Sequence, residues 1–522
     1  MIAALGHLLR LARAGWVLAR EGVFADLDPG LAPPEARAPL ALARMLARRG
    51  AANDQSRLPR AIARLGPSYV KLGQFLATRA DVVGPEVVAR LGELQDRMAP
   101  FPRDRAVATI EKALGKPLEE IFESFGEPVA AASIAQVHKA RIRDADGRIR
   151  DVAVKVLRPN VERRFARDLS DMYFAARLAE RHIPDAARLK PVGIVDGLAR
   201  SVKIEMDFRL EAAAASEFAE KVEQDPDFHV PAIDWDRTAR EVLTLEWVEG
   251  TPLSDLGALK RQGLDLKALG RTVMQSFLRH AVRDGLFHAD MHQGNLLVDR
   301  DGRLTAVDFG IMGRLGPKEQ RFLAEILYGF ITRNYQRVAE VHFEAGYVPR
   351  SHRVEDFAQA IRAVGEPIHS RRADQISMAK LLTLLFEITG LFDMKTRLEL
   401  VLLQKTMVVV EGVARTLDPQ LDMWSTSEPI MRKWIEDNLG PAGRLQDAGE
   451  QVAQLGRALS QAPQMLARAD AIAARLEAAT QGGLALSAAS IEAIGKAEAR
   501  RNRWSAVALW IIAGLLALAI LR

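Results

Sequence analysis

The sequence His288-Ala-Asp-Met-His-Gln-Gly-Asn295, followed by Asp308-Phe-Gly310, decides the fold of this 522-residue chain. Two short apolar runs, Leu296–Val298 and Leu304–Val307, lie between the two motifs and are typical of strands. Because a hairpin of two such strands doubles back, we expect it to return Asp308 to the neighbourhood of Asn295. The two motifs therefore predict one compact site.

These motifs contain the side chains that phosphoryl transfer requires. One carboxylate must orient the attacking hydroxyl or water, while an amide oxygen and a second carboxylate hold Mg²⁺ against the phosphates. Asp290 and Asn295 lie five residues apart, as in the protein-kinase pattern H-R-D-x-x-x-x-N. We therefore predict that Asp290 is the catalytic carboxylate and that Asn295 and Asp308 bind Mg²⁺.

Two other interpretations of these residues stay open. His288, Asp290 and His292 could form a metal cluster, although no third histidine follows at ligand spacing. The second alternative is a structural turn, rich in Gly and Asn, that performs no chemistry.

The strand Val152-Ala-Val-Lys-Val156 lies upstream and carries a lysine. Alternation places its three valines on one face and Ala153 with Lys155 on the other. A lysine that faces inward needs an anion, either a nucleotide phosphate or a carboxylate. We predict that Lys155 takes part in catalysis, contacts phosphates and pairs with Glu211, which an alanine run places on a helix. The alternative is an exposed lysine on a half-buried strand.

The adenine and the phosphates of a nucleotide need backbone contacts on either side of this lysine. A further strand, Glu241–Trp247, leads into the segment 246–250, which is the predicted adenine-contacting hinge. No G-x-G-x-x-G precedes Lys155, and an alanine-rich loop occupies that position. The predicted nucleotide-binding residues are Ala130, Ala131, Ala132, Ser133, Glu246 and Val248.

A platform for protein substrates is not expected. After Asp308-Phe-Gly310 the chain reaches a predicted helix near Pro317, with no long activation segment and no Ala-Pro-Glu. Protein kinase activity is therefore doubtful, although the catalytic positions are filled.

The composition excludes several other classes of protein. Hydrophobic residues make up 48% and charged residues 27%, which is typical of folded domains and not of disordered chains. There is no cysteine, so disulfides, thiolate catalysis and Cys-ligated metals are excluded. The net charge is only +5 and no basic block interleaves with the aromatic residues, so no nucleic acid is expected as a partner.

The C-terminal sequence predicts a membrane anchor. Trp504–Leu521 is a run of 18 residues without a charge, long enough as a helix to cross about 27 Å of hydrocarbon. Basic residues are more frequent before it than after it, which predicts that everything N-terminal to Trp504 is cytoplasmic. The expected location is the inner (cytoplasmic) membrane, with a single C-terminal span and the catalytic domain in the cytoplasm.

The N-terminal sequence predicts an amphipathic helix. Its apolar residues recur at helical spacing: Leu5, Leu8, Leu9, Ala12 and Trp16. We expect this stripe to pack on the next domain, with an interfacial membrane helix as the alternative.

Three further motifs make the chain resemble the UbiB family of atypical kinases, also called the ADCK type. Lys71-Leu-Gly-Gln74 is similar to the family's KxGQ motif, Ala130-Ala-Ala-Ser133 to its alanine-rich loop, and Glu205-Met-Asp207 to its ExD motif. The resemblance covers roughly residues 60–420.

The resemblance implies a cleft that binds Mg²⁺ with ATP or ADP. It also implies that Lys71 and Gln74 point into this cleft toward Glu205 and Asp207, across the place where a peptide substrate would dock. Members of the family support ubiquinone biosynthesis at a membrane, through ATPase activity. The implied partners are the lipid membrane, prenylated quinone precursors and other ubiquinone-biosynthesis enzymes.

The expected architecture is an α+β, bilobal protein-kinase-like fold with helical regions at both ends. The predicted segments are an N-terminal helical extension with the KxGQ motif (1–120), a kinase-like N-lobe (121–245), a C-lobe (246–440), an amphipathic helical segment (441–503) and a transmembrane helix (504–521).

Two competing functions stay open. A small-molecule kinase of the aminoglycoside or choline type also uses an H-x-D-x-x-x-x-N loop and would phosphorylate a soluble alcohol through Asp290. A non-catalytic, nucleotide-gated scaffold would need nucleotide binding but no hydrolysis.

Overall fold

The computed structural model describes residues 2–25, 41, 43–47, 57–77, 83–91, 94, 98–144, 146–182, 190–369, 388, 390–394 and 398–440. Contacts divide the chain into two compact units, residues 1–435 and residues 436–522. The predicted segment 441–503 and the predicted span 504–521 lie outside the described residues. Among the residues that are described, no helix is long and apolar enough to cross a bilayer.

The described part of the chain is a mixture of helices and short strands. Its first helices are α1 (Ile2–Arg20), α2 (Arg57–Leu65), α3 (Pro67–Leu76), α4 (Pro85–Leu91), α5 (Arg103–Leu114), α6 (Leu118–Ile121), α7 (Val161–His182), α8 (Pro191–Glu205) and α9 (Phe208–Val222). They are followed by α10 (Leu256–Arg261), α11 (Leu266–Arg279), α12 (Pro317–Ile331), α13 (Tyr335–Glu344), α14 (Val354–His369), α15 (Leu398–Leu417) and α16 (Met423–Leu439). The strands are β1 (Ser124–Ala131), β2 (Ala135–Arg143), β3 (Ile149–Leu157), β4 (Phe228–His229), β5 (Val242–Glu246), β6 (Thr251–Pro252), β7 (Leu286–His288), β8 (Leu296–Val298), β9 (Leu304–Ala306) and β10 (Met312–Arg314).

The smaller lobe is an antiparallel sheet of order β1-β2-β3-β5. On β3 the predicted alternation is confirmed, because Val152, Val154 and Val156 are fully buried in a cluster that includes Ile110 of α5. The other face of β3 carries Lys155, which therefore points toward the larger lobe. The strand with the lysine is thus held rigidly by its apolar side.

The predicted alanine-rich loop lies where two strands of the small lobe meet. β1 and β2 are separate strands joined by a tight turn. The Ala132 N–H donates to the Ala135 carbonyl at 2.8 Å and closes this turn. Ala130 and Ala131 consequently belong to β1, and the turn itself is much shorter than a glycine-rich loop.

The larger lobe is mainly helical and surrounds the β8–β9 hairpin. The hairpin is antiparallel, with β6 and β4 along its edges, and its inward side chains join the largest hydrophobic cluster. In this cluster α11 packs closely against α15, since a Cβ at Gly270 would lie only 3.0 Å from the Ala414 carbonyl. The architecture is the predicted α+β, kinase-like arrangement of a small sheet lobe and a larger helical lobe.

The N-terminal helix α1 packs against α7, but its orientation differs from the prediction. Arg10 donates two hydrogen bonds to the buried carboxylate of Asp171, at 2.6 and 2.7 Å, and His7 contacts the same carboxylate. His7 also stacks on Phe174 with 5.1 Å between ring centroids. Because the basic face satisfies Asp171, the predicted apolar stripe is turned away from the protein.

We expect a histidine in the larger lobe to make stability sensitive to pH. His342 donates from Nδ1 to the Val338 carbonyl at 2.7 Å, and its ring lies between Tyr347 and Phe357. Burial lowers the pKa of His342 to about 4. In an unfolded chain the same ring would titrate near 6.5, so the unfolded state binds the proton first as the pH falls.

We therefore expect acid destabilisation between about pH 6.5 and pH 4, with the full stabilisation present above 6.5. His342→Leu should flatten the pH dependence of the melting temperature, removing about 2 kcal/mol of the difference between pH 7 and pH 4. His352→Leu is the matched control, because His352 contacts the exposed Asp393. An unchanged slope for His342→Leu would mean that other groups cause the acid sensitivity.

Candidate functional site

Lys155 lies between two carboxylates where the lobes face each other. Its Nζ donates to Glu211 Oε1 at 2.8 Å, to Glu211 Oε2 at 3.0 Å and to Asp308 Oδ2 at 3.2 Å. The ammonium also lies 5.4 Å from the ring centroid of Phe208, one helical turn before Glu211 on α9. Strand β3, helix α9 and the end of the hairpin thus converge on one cation.

Contacts at this junction shift the pKa values of Lys155 and Asp308 in opposite directions. Burial alone lowers the pKa of Lys155, but the charges of Asp308 and Glu211 outweigh it and raise that pKa above its usual value. Burial alone raises the pKa of Asp308, and the Lys155 charge and the Gly310 N–H reverse this, so its pKa lies well below the usual range. Lys155 is therefore cationic and Asp308 anionic at neutral pH.

The imidazole of His288 connects the two sequence motifs. The Asp290 N–H donates to His288 Nδ1 at 3.1 Å, and His288 Nε2 is bonded to the Asp308 carbonyl. Because Nδ1 accepts and Nε2 donates, the ring is held in a single neutral tautomer. Burial lowers the pKa of His288, which favours this neutral form. With both nitrogens in backbone contacts, the histidine acts as a bridge, which disfavours its use as a metal ligand.

Asn295 contacts Asp290 within the loop, and the hairpin returns the segment that ends in Asp308 to Asn295. Asn295 Nδ2 donates to the Asp290 carbonyl at 3.1 Å, and the Val307 N–H donates to the Asn295 carbonyl at 3.1 Å. The amide oxygen of Asn295 and the carboxylate of Asp308 are hard oxygen donors of the kind that Mg²⁺ prefers. The donor set at the end of the hairpin therefore fits Mg²⁺, which when bound would neutralise phosphate charge.

The predicted hinge is fixed by the side chain of Glu246. Glu246 Oε2 accepts from the Ala232 N–H at 3.1 Å and contacts His229 Nε2 at 3.1 Å. Contact with His229 lowers the pKa of Glu246. One oxygen of the carboxylate is thus engaged by His229 and Ala232, and we expect adenine to contact the backbone of the hinge, which also contains Val248.

The alanine-rich turn is held by an arginine that the sequence analysis did not single out. Arg158 Nε donates to the Ala132 carbonyl at 2.8 Å, and its backbone N–H donates to the Ile134 carbonyl at 2.8 Å. The Ser133 side chain in this turn is fully buried. The only sequence feature that could have indicated this contact is the position of Arg158 directly after β3, from which a basic side chain can reach the β1–β2 turn.

The KxGQ and ExD motifs lie on helices α3 and α8. Lys71 Nζ lies 2.5 Å from Glu205 Oε2, and both side chains are mostly buried. Gln74 lies one turn further along α3 and is half-buried. Asp207 is directed elsewhere, since its carboxylate caps α9 through the Arg209 N–H and pairs with the Arg209 guanidinium. The structure thus brings Lys71 to Glu205 and leaves Asp207 with Arg209.

We expect the Lys71–Glu205 pair to be energetically coupled. Lys71→Met should destabilise the fold by about 2 kcal/mol, because it leaves a mostly buried carboxylate without this cation. Adding Glu205→Gln should recover about 1 kcal/mol of that loss in a double-mutant cycle followed by thermal unfolding. Lys203→Met on the exposed face of α8 is the control and should change little. Additive effects of the two substitutions would contradict the coupling.

A threonine from the C-terminal helical region supports the loop that contains Asp290. Thr406 of α15 is fully buried, and its hydroxyl lies 3.1 Å from the Ala289 carbonyl, next to Asp290. The sequence contains no signal for this contact, because the two residues are 117 positions apart.

Among the described residues, Asp225, His280 and Asp284 form one cluster with metal-ligating atoms. The Asp225 carboxylate already accepts hydrogen bonds from Arg279, His280 and Arg283, at 2.7–3.1 Å. Since two guanidinium groups and the His280 ring already occupy its oxygens, we interpret the cluster as an ion-pair and hydrogen-bond network of the larger lobe.

Comparison with known proteins agrees with this architecture. Residues 93–342 match the ABC1 atypical kinase-like domain, and residues 361–422 match the UbiB helical domain. A probable protein kinase UbiB of Marinobacter nauticus is 39% identical over 469 residues, which cover 88% of this chain and 84% of that protein. A protein of the same name from Pseudomonas paraeruginosa is 39% identical over 405 residues, covering 77% of this chain and 75% of that protein.

A solved structure is also similar. The Rv3197–erythromycin complex from Mycobacterium tuberculosis contains a chain with 25% sequence identity. The match covers 76% of this chain and 97% of that chain, with a TM-score of 0.46.

Proposed function

Because the chain belongs to the UbiB family of ABC1-type atypical kinases, a family of ubiquinone biosynthesis, we propose that this kinase-like enzyme hydrolyses ATP at a membrane. In this proposal Asn295 and Asp308 hold Mg²⁺, Lys155 contacts the α- and β-phosphates, and Asp290 orients the attacking water or hydroxyl. Residues 130–133, at the end of β1 and in the turn that follows it, and the backbone of residues 246–248 bind the nucleotide.

The Lys155–Glu211–Asp308 junction is the observation that carries this proposal. Its 2.8 Å and 3.2 Å contacts join the small lobe to Asp308, at the end of the hairpin where we propose that Mg²⁺ binds. A lysine paired in this way is pre-oriented, so phosphate binding requires little rearrangement of its side chain.

Water or a small molecule is the proposed acceptor of the phosphoryl group. After Gly310 the chain forms the short strand β10 and enters α12 at Pro317. This connection leaves no extended segment on which a protein substrate could be aligned. We therefore propose that the energy of ATP serves to handle prenylated quinone precursors or to remodel the biosynthetic enzymes around them.

The proposed location is the inner membrane, with the kinase-like lobes in the cytoplasm. The uncharged run Trp504–Leu521 and the basic residues before it support this location. The proposed segments are the extension 1–120, the lobes 121–245 and 246–440, the helical linker 441–503 and the span 504–521.

The test is nucleotide turnover by the full chain reconstituted in vesicles, with and without a phenolic quinone precursor. Release of labelled inorganic phosphate that rises with the precursor, with no label on protein, would support the ATPase. Label on a soluble alcohol would instead identify a small-molecule kinase. Binding of Mg-nucleotide without any turnover would identify a scaffold.

A further inference from the structure

The outward face of α1 is apolar and has a basic border. Leu5, Leu9 and Trp16 are 59%, 64% and 50% exposed, and Leu8 is 49% exposed. With Ala12 these side chains span an arc of about 100° on the helix. We call these five residues the α1 stripe.

The α1 stripe is exposed because the opposite face of the helix is bound to the rest of the protein. Arg10 and His7 bind the buried Asp171, and Ala14 is buried on the same side. Rotating the helix to bury the stripe would break the bidentate Arg10–Asp171 contact and leave a buried carboxylate without its guanidinium partner, which is costly. The apolar face is therefore presented outward by a specific set of contacts.

The charges around the α1 stripe indicate what covers it. Residues 1–20 contain no Asp or Glu, and the exposed Arg13 and Arg20 lie at the edge of the stripe. A helix with apolar side chains that include Trp on one face and arginines beside them matches an anionic membrane interface, where the apolar groups enter the headgroup region and the guanidinium groups pair with phosphates.

Two protein occupants are less compatible with this charge pattern. A second copy of the helix would bring its own Arg13 and Arg20 toward the same arginines. The segment 441–503 contains eight basic and six acidic residues, so it has no excess of negative charge that could pair with these arginines.

We propose that the α1 stripe docks onto the anionic surface of the bilayer and holds the kinase-like unit against it, as a second membrane contact besides the C-terminal span. This inference rests on the proposed membrane location.

The absence of cysteine allows a direct test. The full chain carrying Ala12→Cys, labelled with an environment-sensitive fluorophore, is reconstituted into vesicles of phosphatidylcholine and phosphatidylglycerol. We expect brominated acyl chains to quench this label at least about twofold. A label at Ser351→Cys, on the exposed surface of the larger lobe, should not be quenched.

The outcomes separate this inference from the proposed anchor. A label at Ala513→Cys, inside the predicted span, reports the anchor alone. If brominated lipids quench this label but do not quench the label at residue 12, the α1 proposal is overturned. If aqueous iodide quenches the label at residue 12, water covers the stripe. If neither quencher reaches this label, protein covers the stripe. Either result would overturn the α1 proposal too.

The basic border is tested separately. Adding Arg13→Glu and Arg20→Glu should reduce the fraction of docked helix about tenfold or more in anionic vesicles and change little in pure phosphatidylcholine. Docking that is insensitive to these substitutions would contradict recognition of anionic lipid.

Discussion

Asp308→Asn is expected to lower ATP turnover by about a thousandfold or more while the chain stays folded. The substitution keeps the shape of the side chain and removes the charge that Lys155 and the Gly310 N–H stabilise. Lys155 keeps its partner Glu211, so the small lobe retains its internal contact. Phosphate release at saturating Mg-ATP, with the melting temperature measured in parallel, checks both parts of the expectation.

The matched control for this variant is Asp301→Asn. Asp301 is exposed in the turn of the β8–β9 hairpin, seven residues before Asp308. Turnover of the control should equal that of the unsubstituted chain. If Asp308→Asn keeps more than about a tenth of the activity, metal binding through this carboxylate is not required, and the proposed roles of Asn295 and Asp308 are incorrect.

Asp225→Asn is expected to have the largest effect on stability, about 3 kcal/mol. Asp225 is 4% exposed and is contacted by Arg279, His280 and Arg283, so neutralising it leaves the two guanidinium groups close together without this carboxylate. Asp227→Asn is the control, because Asp227 is a third exposed and contacts only Arg279 within this network. It should cost less than about 1 kcal/mol in the same thermal unfolding assay.

The pH dependence of this effect has a defined sign. Burial alone raises the pKa of Asp225, but the bond to His280 and the two arginines reverse this and hold it well below its usual value. The carboxylate therefore stabilises the fold above about pH 4, where an unfolded aspartate ionises, and loses this contribution as the pH falls further. The difference between the unsubstituted chain and Asp225→Asn should close at low pH, and a constant difference would show that shape, not charge, is responsible.

The local parts of the site were predictable from the sequence. Strand alternation was sufficient to orient Lys155, and the β8–β9 hairpin was sufficient to return Asp308 to Asn295, because both depend on residues close in the chain. The support from Thr406 was not predictable, since it depends on how α15 packs across the larger lobe.

The orientation of α1 shows a different limit of sequence analysis. Periodicity identified the helix and its apolar stripe correctly, but it could not tell which face the protein buries. That choice depends on Asp171, more than 150 residues away, whose buried carboxylate requires Arg10. A single distant charge therefore outweighed the usual preference for burying leucine.

The His288 bridge has a consequence for pharmacology. One way for an inhibitor to gain selectivity would be to displace Asp308-Phe-Gly310 outward and to fill the space that the phenylalanine leaves. Here such a compound would have to break the His288–Asp308 contact and the Phe309 N–H bond to Glu211, and would also expose a ring that is 4% exposed. We therefore expect selective ligands to be compounds that bind while Asp308-Phe-Gly310 stays in its inward position and that contact the short alanine-rich turn.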